Sequence, residues 1–185
     1  MLQTVLQTTV MVDALIEGLR NGRKTLNDKC KLALHSFGRR AVFRLKAVAN
    51  DPNMSAAHRR RLEEVLAVMS DSEHMAANAA MYIVDALLDA LRVTDKQLNE
   101  KAIEAFAAAP WRTIDLLIDE AVANQRKSAG YCARLLMAAD VVGGSPDVMQ
   151  RLNLMGLMSS NDLAVRQLAS ALVWKLRSSE LQAIA

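Results

Sequence analysis

Apolar residues recur along this chain every three or four positions, the spacing that puts them on one face of an α-helix. The stretch 110–124 shows it plainly. Ile114, Leu117, Ile118, Ala121 and Val122 fall on one stripe, and Arg112, Asp115 and Asp119 fall on the opposite side. The first twenty residues carry Leu2, Val5, Leu6, Val12, Leu15, Ile16 and Leu19 in the same rhythm, interrupted by Asp13 and Glu17. Residues that cap helix starts punctuate the pattern: Asn27-Asp28, Ser55, Ser70-Asp71-Ser72, Thr94-Asp95, Ser128, Ser145-Pro146-Asp147 and Asn161-Asp162. Pro52, Pro110 and Pro146 fall between the periodic stretches, where a missing N–H costs little. The pattern predicts helices over 2–21, 25–36, 38–50, 55–69, 73–92, 97–109, 110–124, 127–141, 146–158 and 162–177. Connections this short predict antiparallel neighbours.

The chain also resembles itself. Leu26-Asn27-Asp28-Lys29-Cys30 recurs as Leu98-Asn99-Glu100-Lys101-Ala102, an offset of 72 residues. The same offset sets Gly38 on Pro110, Arg40 on Arg112, Val42 on Ile114 and Leu45 on Leu117, and Ala47-Val48-Ala49-Asn50 recurs two residues later as Ala121-Val122-Ala123-Asn124. Half of 72 is one helix–turn–helix unit, and such a unit buries its apolar stripes only against a stacked neighbour. The expected fold is therefore all-α. The expected architecture is a right-handed α-solenoid of about five stacked hairpins over residues 25–185, with residues 1–24 as a capping helix. Ser160-Asn161-Asp162-Leu163-Ala164-Val165-Arg166-Gln167-Leu168-Ala169-Ser170-Ala171-Leu172 resembles the first helix of a HEAT or armadillo-type repeat, with an Asp opening the helix, a Val-Arg pair and inward Ala and Leu. Ser70-Asp71 before Ala76–Leu88 is a looser copy. The resemblance implies a broad surface for binding other macromolecules.

Composition narrows the class. The 185 residues are 52% hydrophobic but only 4% aromatic, with few Gly and Pro, which favours helix over a β-sandwich or barrel. Cys30 and Cys132 make no disulfide framework and have no metal-ligand spacing. No stretch has the uncharged length of a membrane helix, and the N-terminus lacks a basic leader and a small-residue cleavage site, so a cytoplasmic protein without membrane attachment is expected. The ten methionines, Met69, Met81, Met137, Met155 and Met158 among them, suit irregular gaps between stacked layers.

Candidate chemistry is sparse. His35, His58 and His74 have no ligand spacing, so no metal and no cofactor are expected. Val142-Gly143-Gly144-Ser145-Pro146-Asp147 precedes a helix without a preceding strand or a Gly-Lys-Ser/Thr, and reads as a C-cap glycine followed by a helix start rather than a phosphate loop. Trp111 and Asp115 one turn apart, with Arg151 further along, are similar to the Trp, Asp and Arg set of bacterial HEAT-like alkylpurine DNA glycosylases. That likeness implies a carboxylate beside cationic charge at the sugar and an aromatic wall. The plain alternative is a structural Trp and an Asp115 paired with Arg112. No catalytic residue is assigned.

Charge gives the strongest functional lead. Residues 1–70 carry 12 Lys and Arg against 6 Asp and Glu, whereas 71–185 carry 11 against 14. Arg39, Arg40, Arg44 and Lys46 share one predicted helix, and Arg59, Arg60 and Arg61 open the next, the end where the helix dipole disfavours cations. Local stability does not account for those three arginines; an acidic partner surface or a phosphate backbone would. The expected function is a non-catalytic scaffold or adaptor that binds an acidic protein partner through Arg40, Arg44, Arg59 and Arg60 on an inner face. The alternative is nucleic acid through the same arginines. Near the C-terminus the helix opening at Asp162 lacks room for a standard second helix, so self-association through Trp174 and Leu172 is expected at that end.

Overall fold

The computed structural model describes residues 2–69, 78–109, 113–144 and 146–184. Among these residues the secondary structure is ten α-helices with no strand: α1 (Leu2–Arg20), α2 (Lys24–Phe37), α3 (Arg39–Ala49), α4 (Ala56–Val68), α5 (Ala79–Arg92), α6 (Lys96–Ala108), α7 (Ile114–Asn124), α8 (Ala129–Val142), α9 (Val148–Leu157) and α10 (Leu163–Ile184). The chain divides into two compact units, Met1–Ala108 and Ala109–Ala185.

Several caps act as their residue types require. Ser55, Asp95, Ser128, Asp147 and Asp162 each accept a hydrogen bond from the backbone N–H three residues on. The expected helix start at Ser70-Asp71-Ser72 lies outside the described residues. Asn27 is different: α2 already begins at Lys24, and Asn27 lies inside it, buried. Gly38 alone connects α2 to α3, with φ 55°, in the left-handed region that a side chain would strain.

In the first unit the hairpin α1–α2 is the middle layer. On one side the hairpin α3–α4 stacks on it, α1 against α3 and α2 against α4. Asp13 pairs with Arg44, 31 residues on, and Lys31 with Glu64, 33 residues on, so equivalent helices meet one hairpin length apart. On the other side α5–α6 packs in the opposite sense, α1 on α6 and α2 on α5. Glu17 meets Lys101 while Arg20 meets Gln97, so these two helices run antiparallel. The contact is reciprocal. Lys101 pairs with Glu17 at 3.0 Å and Lys29 with Asp89 at 3.1 Å, and each residue of one pair lies 72 positions from its counterpart in the other. The internal pairs Arg20–Glu17 and Arg92–Asp89 repeat at the same offset. So do the buried positions Leu15 and Leu87, Leu19 and Leu91, Leu26 and Leu98, Cys30 and Ala102, and Leu34 and Phe106. The sequence repeat therefore corresponds to a local two-fold relation between two similar hairpins, the isologous arrangement usual in homodimers.

Helix α1 touches α2, α3, α4, α5 and α6, and buries Met11, Val12, Ala14, Leu15, Ile16 and Leu19 around much of its circumference. The hairpins of this unit are layered out of chain order, not in single file.

In the second unit the hairpins are α7–α8 and α9–α10. Hairpin α9–α10 lies on α7–α8, α9 against α7 and α10 against α8. Hydrogen bonds span 32 residues from Asp115 to Asp147, 31 from Asp119 to Gln150 and 35 from Asp140 to Lys175. The segment that resembles a repeat's first helix is thus the second helix of its hairpin, and it continues to Ile184. The core is Leu117, Ile118, Ala121, Cys132, Leu135, Leu136, Ala139, Leu154, Val165 and Ala169. Along α8 the buried Tyr131, Leu135 and Ala138 repeat the burial of His58, Leu62 and Val65 along α4, 73 residues earlier.

Candidate functional site

Helix α3 has the sequence RRAVFRLKAVA, four cations and no acid. Ala41 and Leu45 turn inward and are fully buried. On the opposite face Arg39, Arg40, Lys46 and Ala47 are exposed, and Phe43 stands among them 84% exposed. No acidic residue occupies the first turn, and Gly38 offers no side-chain cap, so the N-terminal end of α3 carries Arg39 and Arg40 against the helix dipole. A large aromatic left in water at the centre of a basic face gains nothing for folding.

The other arginines singled out by sequence have partners within the chain. Arg44 holds Asp13 in a two-pronged contact, Nε to Oδ1 at 2.5 Å and Nη2 to Oδ2 at 2.9 Å, and that hydrogen bonding raises the guanidinium pKa further. Arg59 donates to the carbonyls of Ala49 and Asp51, at the C-terminal end of α3. Arg60 reaches Glu64 at 3.2 Å. Glu64 also accepts from Lys31, and these hydrogen bonds lower its pKa. Arg61 donates through Nη1 to the carbonyls of Leu19, Arg20 and Asn21, closing the C-terminus of α1. The run of three arginines thus has a structural cause: two of them satisfy the carbonyl ends of neighbouring helices, where the dipole favours cations. Arg40 keeps its charge in solvent, with no ion pair among the described residues.

Beside α3 lies a cleft of about 480 Å³ lined by Asp13, Glu17, Arg20, Arg44, His58 and Lys101 together with parts of the α3–α4 loop. Its charges are matched pair by pair: Asp13 with Arg44, and Glu17 with both Arg20 and Lys101. His58 is buried, its Nε2 donating to the Ile16 carbonyl at 3.1 Å, and burial lowers its pKa. The charge pairs join α1 to α3 and to α6, and the His58 hydrogen bond joins α1 to α4.

Among the described residues no three His, Cys, Asp or Glu side chains converge as a metal site, and no helix is long and apolar enough to cross a membrane. His74 lies outside the described residues. Cys30 and Cys132 are buried free thiols, their pKa pushed up by burial to about 12 and about 11. Of the glycosylase-like set, Trp111 lies outside the described residues, as does Arg112, the expected partner of Asp115. Asp115 accepts from the Asp147 N–H, and Arg151 donates to the Pro146 carbonyl, so both brace the start of α9.

The two residues expected to mediate self-association part company. Leu172 is buried beside Val165 and Ala169, so it belongs to the core of its unit and is no surface contact. Trp174 points away from that core, 74% exposed. Sequence reasoning passed over α9. There Gln150 is buried, donating to both oxygens of Asp119, while Met149, Leu152 and Met155 face solvent. The signal was an apolar residue every third position along a helix whose opposite face also holds Leu154 and Leu157. Phe43 was likewise visible as an apolar residue off the Ala41–Leu45 stripe. The chain matches no family model, no curated protein and no solved structure.

Proposed function

We propose that this chain is a helical-hairpin repeat protein of HEAT or armadillo type that performs no chemistry and binds an acidic protein partner through the outward face of α3. The observation that carries this reading is Phe43, exposed among Arg39, Arg40 and Lys46 on a helix without an acid. Basic side chains steer an acidic surface into place, and a central aromatic supplies the contact that fixes it. Of the four arginines expected to bind, Arg40 is the one offered to a partner; Arg44, Arg59 and Arg60 act first within the fold. The repeat reading draws on hairpins that stack about 31–35 residues apart in both units.

The alternative ligand, nucleic acid, would use the cations and ignore the ring unless bases stack on it. The test is binding of two labelled probes by the full chain: an amphipathic helical peptide rich in Glu and Leu, and a short DNA duplex. We expect the peptide to bind and the duplex to bind weakly. Phe43→Ala should weaken the peptide by about tenfold or more, as loss of an interface anchor does, and Arg40→Glu should weaken it further at low salt. Tight duplex binding that falls steeply with salt and ignores Phe43→Ala would assign α3 to nucleic acid instead. Peptide binding unchanged by both substitutions would remove the site.

A further inference from the structure

The two-fold relation between α1–α2 and α5–α6 gives each charged group at one helix junction a counterpart at the other, 72 residues away. Where the end of α1 meets the start of α6, Glu17, Arg20, Asp95 and Lys101 gather. Asp95 Oδ1 accepts the Leu98 N–H at 3.1 Å, and Oδ2 lies 3.8 Å from Arg20 Nη2. Gln97 fills the space in front of the same guanidinium, accepting from it at 3.2 Å. Two cations face two carboxylates, and the charges cancel.

At the other junction the end of α5 meets the start of α2. Asp89 stands for Glu17, Arg92 for Arg20 and Lys29 for Lys101, and their ion pairs repeat. Position 23 does not repeat: it is Arg23, where the counterpart is Asp95. No side chain caps the start of α2, and Arg23 makes no ion pair among the described residues. Thr25 replaces the longer Gln97. A cleft of about 360 Å³ opens here, its lining including Arg23, Thr25, Lys29, Asp89 and Arg92 over the buried Leu26. That volume lies in the range of roughly 300–1,000 Å³ found for small-molecule sites. Asp85, which also reaches Lys29, lies outside the lining. Exchanging the acid for a base therefore leaves this cleft with an excess of two positive charges, where the other junction has none. An arginine at a helix start opposes the helix dipole, so Arg23 gains nothing for the fold.

We propose that this cleft binds a phosphate dianion, free or as the monoester of a small molecule. Two negative charges neutralise the excess, which a single carboxylate leaves half met. The phosphate takes the place that the Asp95 carboxylate fills at the start of α6. One oxygen accepts the Leu26 N–H, the counterpart of the Leu98 N–H that Asp95 accepts. The others face the guanidiniums of Arg23 and Arg92, planar forks that suit phosphate geometry. Arg92 keeps its bond to Asp89, as Arg20 keeps Glu17 while facing Asp95. The site is separate from the acidic-partner reading, which concerns α3.

Amide chemical shifts of the full chain, titrated at pH 7.5 and constant ionic strength with inorganic phosphate, glycerol phosphate or acetate, test it. The expected result is a saturable shift of the Thr25 and Leu26 amides with both phosphates and a much weaker response to acetate. Arg23→Asp restores the carboxylate found at position 95, so it should raise the phosphate dissociation constant about tenfold or more while capping α2 and raising the melting temperature. Arg177→Ala, which removes one exposed cation from the other unit, should leave binding unchanged. Glycerol phosphate binding more tightly than inorganic phosphate would assign the cleft to a monoester, and equal binding to the free ion. No saturable shift at these amides overturns the proposal, and so does phosphate binding indifferent to Arg23→Asp. Acetate binding as tightly as phosphate would overturn it in favour of a carboxylate ligand.

Discussion

Gly18 faces Cys30 where α1 and α2 cross, and a Cβ built on it would lie 2.5 Å from the Cys30 Sγ. The thiol is buried, so there is little room for it to rotate away. Gly18→Ala should therefore gain up to about 1 kcal/mol of helix propensity and lose about 1–3 kcal/mol to overpacking, a net loss in urea unfolding. Adding Cys30→Ala removes the obstructing sulfur, and the double variant should be more stable than the two single changes add up to. His58 gives a pH dependence of known sign. Burial lowers its pKa in the fold, so the unfolded chain takes up the proton first and stability falls as pH drops below the unfolded value of about 6.5. Urea midpoints at pH 7.5 and pH 5.5 should differ less in His58→Gln, which keeps a donor for the Ile16 carbonyl but does not titrate there. Ser55, Asp95, Ser128 and Asp162 were legible as caps because their chemistry is settled within three residues. The setting of His58, and the reason position 18 is glycine, depend on chain more than ten residues away and left no local mark.

At the level of helices, the arginine run shows how a local argument can be sound and still incomplete. Nothing within α4 accounts for Arg59 and Arg61, as the sequence implied; their partners are the carbonyl ends of α3 and α1, which packing brings beside the start of α4. Arg61→Ala leaves the last carbonyls of α1 without that donor and should cost about 1.5–3 kcal/mol, the range for hydrogen bonds to a charged group. Arg60 is 82% exposed and pairs only with its own helix, so Arg60→Ala should change stability by less than about 0.5 kcal/mol. Equal losses at both positions in chemical unfolding would remove the capping role. The same division explains the candidate site: the basic character of α3 was readable in its composition, whereas which arginines remained available depended on Asp13, one hairpin away from Arg44, and on Glu64, one turn along α4 from Arg60.

For the molecule as a whole, the all-helical class and the hairpin spacing followed from periodicity, because stripes and caps recur in every hairpin. The layering did not. Each hairpin presents similar apolar stripes to either side, so the pattern alone does not say which neighbour covers which face. What distinguishes them is the reciprocal set Glu17–Lys101 and Asp89–Lys29, residues that read in isolation as ordinary surface charges. The 72-residue repeat was visible, but halving it gave a period and missed the two-fold relation. A wide apolar girth was the available clue that α1 is an interior helix: Ala14, Leu15 and Ile16 are consecutive, and all three are buried. Zero-length carbodiimide coupling read by mass spectrometry tests this layering most directly, because it joins a lysine only to a carboxylate in contact. The account expects Lys29 joined to Asp85 or Asp89 and Lys101 joined to Glu17, alongside the within-stack links Lys31–Glu64 and Lys175–Asp140. Recovery of the two stack links without either of the first pair would mean that α1–α2 and α5–α6 do not lie together, and would contradict it.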